Sequence, residues 1–170
     1  MAEALILHAC RDGIHVLRLL GEVRYPLAPA LDAYLRRLFD GPAPAGFVID
    51  LSATDAIDST HLGLLARLST RLRQAGAPRA TIVSTRPDIT EVLLSMGFDE
   101  EFQLVGEDGR IGPAAGAEAV PAGEGEPDEA ALNRTLLDAH RALIELSERN
   151  REAFADVVAQ LEREQGAGRS

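Results

Sequence analysis

The chain has 170 residues, enough for one domain with a sizeable core plus a further segment. Seventeen Lys and Arg stand against 27 Asp and Glu, a formal net charge of −10, which argues against nucleic acid and anionic membrane surfaces and for protein partners. The single cysteine, Cys10, allows no internal disulfide framework, and neither a signal-peptide start nor an apolar run of ~20 residues is present, so a cytoplasmic location without membrane insertion is expected.

Leu5 to Cys10 and Ile14 to Leu20 read as two strands joined by the hairpin signal Arg11-Asp12-Gly13, the second ending at Gly21-Glu22. His8 and His15 fall in these strands without a Cys or carboxylate at ligand spacing, so structural or surface roles are expected rather than a metal site. Pro26 opens a helix that turns Leu27, Leu31, Tyr34, Leu35 and Leu38 toward the core. The Gly41 to Gly46 stretch, rich in Gly, Ala and Pro, cannot continue it.

Phe47 to Leu51 is a short apolar run that predicts a buried strand, and Leu62, Leu65, Leu68 and Leu72 then recur at helical spacing. Between them lies Asp58-Ser59-Thr60, where Ser59 or Thr60 is expected to cap the helix. A phosphoryl group on either hydroxyl would meet the amides and positive end of that helix, opposed by Asp55 and Asp58. A plain N-cap at a strand-to-helix loop is the other reading. His61 is expected to face outward, as a phosphate sensor, an interface residue or a solvated side chain. Asp50, at the strand end, either orients the loop or is solvated there. Ser59, His61 and Asp58 are too close together at a helix start for an aligned relay, no Walker loop is present, and Asp50, Asp55, Asp58 and Asp88 lack metal spacing. No catalytic set, cofactor or metal is expected.

Gly76 and Pro78 stop the helix. A strand from Ala80 to Ser84 precedes a helix capped by Thr85 in an approximate box with Asp88, with Pro87 inside it and Gly97 at its end. A last strand through Phe102 to Val105 gives the order β-β-α-β-α-β-α-β, a mostly parallel sheet with helices packed mainly on one face. Residues 1–112 are expected as one domain and 113–127, rich in Gly, Pro, Ala and Glu, as a flexible linker. Residues 128–165 read as one long amphipathic helix with Leu132, Leu136, Ala139, Leu143, Leu146, Asn150, Ala153 and Val157 on one stripe. At ~1.5 Å per residue it would be ~55 Å long. Three uses stay open: a homodimer through this helix, folding back onto its own domain, or binding another protein.

Residues 4–105 resemble a STAS domain, the fold of bacterial anti-sigma factor antagonists, whose hallmark is an apolar strand with Asp or Asn, a polar loop, and Asp-Ser-Ser-Gly-Leu-Gly opening a helix. Here the match is Val48-Ile49-Asp50-Leu51 and Asp58-Ser59-Thr60-His61-Leu62-Gly63, with the Gly21-Glu22 turn. The resemblance implies an α/β mixed sheet with a phosphoacceptor at Ser59, and the long C-terminal helix lies outside the family's minimal pattern. Thr60 stands for the second serine, and His61 replaces a glycine. The implied function is a non-enzymatic switch whose unphosphorylated form binds an anti-sigma factor or serine kinase through a surface of Asp50, Asp55, Asp58, Thr60, His61, Leu62 and Gly63, and which a protein phosphatase resets. The alternative is a non-phosphorylated adaptor or scaffold in a signalling or transporter assembly.

Overall fold

The computed structural model describes residues 4–106, 118–119 and 129–167. Strands β1 (Leu5–Arg11) and β2 (Ile14–Val23) pair antiparallel around Asp12 and Gly13, whose φ values of 55° and 80° make the primed turn that Asp-Gly favours. Contrary to expectation, β2 does not stop at Gly21. Its register slips between Gly21 and Glu22, and its last residues pair in parallel with β4 (Thr54–Ile57). That strand lies where the sequence shows only a polar loop. It is held by bonds rather than by an apolar run: Thr54 is fully buried, and its hydroxyl donates to the Leu19 carbonyl at 2.7 Å.

Parallel neighbours extend the sheet on the other side: β3 (Gly46–Asp50) beside β2, β5 (Thr81–Val83) beside β3, and β6 (Gln103–Val105) beside β5. The main order is β6-β5-β3-β2-β1-β7, where β7 (Glu118–Ala119) pairs antiparallel with β1. Successive crossovers step the same way along the sheet, so right-handed connections set their helices on one face. Ile6, Leu17, Leu19, Phe47, Ile49 and Ile82 form the buried side of the strands.

Pro26 lies in a 3-10 turn (Tyr25–Leu27), and helix α1 (Ala28–Phe39) follows with Pro29 in its first turn. Helix α2 (Ser59–Gln74) buries Leu62, Leu65, Leu68 and Leu72 and ends at Gly76, whose φ of +69° lets Ala77 N–H reach the Leu72 carbonyl at 2.9 Å. Helix α3 (Pro87–Ser95) is capped by Arg86, not by the expected Thr85 box, and no side chain bonds its first turn. Asp88 instead lies 3.6 Å from the Arg86 guanidinium. Gly97 closes α3, and a short α4 (Phe98–Glu101) leads into β6.

The C-terminal segment is helical but is not one helix. It forms α5 (Glu129–Leu146) and α6 (Glu148–Ala167), which pack against each other as a hairpin. Ser147 makes the break. Its hydroxyl accepts from Asn150 N–H at 3.1 Å, and Glu148 follows in the first turn, a helix-start signal inside a stretch of strong helix formers. Folding at this point brings Leu137 of α5 against Val158 and Leu161 of α6. Of the three uses left open, the structure shows folding back. Helix α5 packs on α1 and α2, and Ala139 and Leu143 are fully buried in the main core. The stripe expected for a coiled coil is thereby divided, with Ala139, Leu143 and Asn150 buried within the chain and Ala153 and Val157 exposed. Asn150 fixes the hairpin to the domain, its side-chain amide donating to the carbonyls of Met96 at 2.9 Å and Leu143 at 3.0 Å. The linker expected over 113–127 lies outside the described residues, apart from Glu118 and Ala119.

Candidate functional site

The site is built on the turn from β3 to α2. Asp50 is fully buried at the end of β3. Its Oδ1 accepts from Ser52 N–H at 2.9 Å, and its Oδ2 lies 2.9 Å from the guanidinium of Arg18, its partner residue on β2. Asp50 therefore orients the loop rather than sitting in solvent. Asp55 is exposed on β4, 2.6 Å from the Arg86 guanidinium.

Asp58, not Ser59 or Thr60, caps α2. Its backbone is extended, and Oδ1 accepts from His61 N–H at 3.0 Å and from His61 Nδ1 at 2.8 Å. Burial pushes the Asp58 carboxyl up, but its bonds to the side chain and backbone of His61, the His61 charge and the Tyr25 amide together hold it below its ordinary value. His61 is fully buried, against the expectation of an outward side chain. The bond to Asp58 satisfies Nδ1, while Nε2 is buried without a hydrogen-bond partner among the described residues.

With Asp58 as cap, the Ser59 hydroxyl is not consumed by the helix. Ser59 is the first residue of α2, half-buried, and its Oγ lies 2.8 Å from Nε2 of His140 on α5. The Nδ1 of His140 is 2.7 Å from the Leu136 carbonyl and must donate to it. When the ring carries a single proton, Nε2 is then the acceptor and Ser59 O–H the donor. His140 itself is buried, edge-on to Phe154 with ring centroids 5.6 Å apart. This pair joins residues 81 positions apart in the chain, which spacing could not reveal.

Thr60, Leu62 and Gly63 are buried, so much of the surface expected around Ser59 is interior. Gly63 lies directly under α5. A Cβ built at Gly63 would stand 2.1 Å from the Ala139 carbonyl oxygen and 2.7 Å from its Cβ. One turn further, Arg67 lies 3.6 Å from Asp138 of α5 and 3.6 Å from Asp32 of α1, and Arg36 bridges the same two carboxylates. Asp58, Ser59 and Asp55 keep exposure. Among the described residues, no group of three His, Cys, Asp or Glu is placed to hold a metal ion, and no helix is long and apolar enough to cross a membrane.

Residues 7–109 match the STAS domain family. No curated protein matches the chain. Among solved structures, the chain is similar to the crystal structure of an anti-sigma factor antagonist from Mycobacterium paratuberculosis, with 27% identity and a TM-score of 0.52 over 60% of this chain and 85% of that one. The family match over residues 7–109 includes the strand-loop-helix site and stops before the α5–α6 hairpin. On its sheet order, its site and this match, the chain belongs to the STAS domain family.

Proposed function

We propose that the chain is an anti-sigma factor antagonist, a cytoplasmic protein-binding switch in transcription regulation controlled by phosphorylation of Ser59. One observation carries this reading: Ser59 stands at the first position of α2 with its hydroxyl spared from capping by Asp58. A phosphoryl group there would add about 1.5 to 2 negative charges at the amino end of a 16-residue helix. The unphosphorylated form binds an anti-sigma factor or serine kinase, and the added charge weakens that docking. A phosphatase restores the first state. The chain is the substrate of this chemistry rather than its catalyst. His61 is buried and bonded to Asp58, and the ring nitrogen beside the Ser59 hydroxyl is Nε2 of His140.

The test is site-resolved mass spectrometry after incubation with a candidate kinase and ATP, alongside partner affinity for the wild type, Ser59→Ala and Thr60→Ala. Ser59→Ala should abolish phosphorylation and retain partner binding. Phosphate on Thr60 alone would reject the assignment, and the burial of Thr60 argues against that outcome. The second reading, a non-phosphorylated adaptor, draws support from the Ser59–His140 bond, which engages the hydroxyl within the chain. Absence of phosphate on Ser59 with partner binding retained would favour it, and stoichiometric phosphate on Ser59 with unchanged affinity would reject the switch.

A further inference from the structure

Ser59, Gly63 and Arg67 are spaced by four along α2 and so share one face of that helix. Three successive residues of α5 cover them: His140 over Ser59, Ala139 over Gly63, and Asp138 beside Arg67. Gly63 sets how close the two backbones come. A glycine inside a helix is destabilising relative to alanine, and here it admits a carbonyl that any side chain would strike. The opposite side of α2, through Leu62, Leu65, Leu68 and Leu72, is already buried in the core. On the Ser59–Gly63–Arg67 face the contact with α5 is made by small residues, a hydroxyl–imidazole bond and ion pairs, while Ala139 and Leu143 of α5 also join the main core. The hairpin also has a small core of its own in Leu137, Val158 and Leu161.

We propose that the Ser59–Gly63–Arg67 face of α2 is a helix-docking surface that the chain's own α5 occupies in place of a partner. The external ligand is a protein presenting an amphipathic helix of the same chemistry: a small residue over Gly63, a hydrogen-bonding side chain over Ser59 and a carboxylate beside Arg67. Partner binding then displaces α5, and the hairpin sets the affinity that a partner must exceed. This deepens the proposed switch, and its identification of the ligand as a regulatory partner rests on that reading. The docking surface itself is testable without kinase, phosphate or partner.

The experiment compares the full-length wild type with two full-length variants, Ala139→Arg on the α5 side of the contact and Gly63→Ala on the α2 side. Hydrogen exchange should show α5 and α6 exchanging about tenfold or more faster in both variants, with β3 and β5 unchanged. A labelled peptide with the sequence of residues 129–146 is then titrated against each chain and followed by anisotropy. It should bind Ala139→Arg about tenfold or more tighter than the wild type, whose surface is filled. It should not bind Gly63→Ala, where a Cβ closes the site. Loss of protection in β3 and β5 together with α5 would show the hairpin to be an obligatory part of the core and would overturn the proposal. Equal or absent peptide binding across all three chains would overturn it too. A failed phosphorylation switch at Ser59 would leave the peptide result standing, so the two readings fail separately.

Discussion

Ser59→Ala and Asp58→Ala, measured as a pair, separate the roles of two adjacent residues at the start of α2. Asp58→Ala removes the cap accepting from His61 N–H, a loss of ~0.5–2 kcal/mol. It also strips the fully buried His61 ring of its Nδ1 partner, and a buried polar group left unpaired costs a further ~1–3 kcal/mol. The total expected is ~1.5–5 kcal/mol. Ser59→Ala leaves the cap in place and removes one half-buried bond to His140, for which ~0.5–1.5 kcal/mol is expected. Urea unfolding of the full chain, with linear extrapolation at constant slope, resolves this difference. The pH dependence supplies a second readout. The Asp58 carboxyl is held below its ordinary value in the fold, so its contribution is present above the unfolded value and is lost as pH falls through the folded one. Wild-type stability should therefore fall more steeply on acidification than that of Asp58→Asn. Equal losses for the two alanine variants would refute the division of labour, because Ser59 would then be contributing to the cap.

Three further outcomes follow from other parts of the chain. Asn150→Ala removes one buried and one part-buried bond, to the Leu143 and Met96 carbonyls, so α5 and α6 should lose ~2–3 kcal/mol of protection in hydrogen exchange; an unchanged hairpin would place its anchor elsewhere. Burial, and then the neighbouring His15, lowers His8 from 6.5 to about 4, so stability should fall as pH drops from about 6.5 toward 4, and His8→Gln should flatten that slope in melting curves. With Ala139, Leu143 and Asn150 buried within the chain, sedimentation should find a monomer, and a concentration-dependent dimer would require an interface outside the buried stripe.

The elements with a strong local period were legible. Leu62, Leu65, Leu68 and Leu72 announce α2, and Asp12-Gly13 announces the opening hairpin, because each signal is a property of a few neighbouring residues. Strand β4 was not legible, since the bond from Thr54 to Leu19 that helps hold it is a tertiary contact without apolar alternation. At the site, Ser59 and its loop were visible while their surroundings were not. Asp, Ser and Thr all cap helices well, and three in a row give no local reason to choose Asp58. The burial of His61 decides between them, and burial is not written in spacing.

The C-terminal segment shows the same limit from the other side. Helix propensity over Asp128 to Glu164 is continuous, and a serine followed by glutamate carries too little intrinsic cost to end a helix unaided. What favours the break is gained only in the folded molecule: Leu137 against Val158 and Leu161, Ala139 on Gly63, and Leu143 in the main core. Full burial of a leucine contributes ~1.5–3 kcal/mol, more than the propensity lost over one turn. The sequence did hold a mark of this outcome in Asn150. A polar residue on an apolar stripe must find partners wherever it is buried, and a carbonyl at the end of α3 supplies one that no second copy of the helix is needed to provide. The feature that the stripe presents as a seam between chains is thus satisfied inside one chain, and the helix it anchors lies over the serine on which the proposed switch depends.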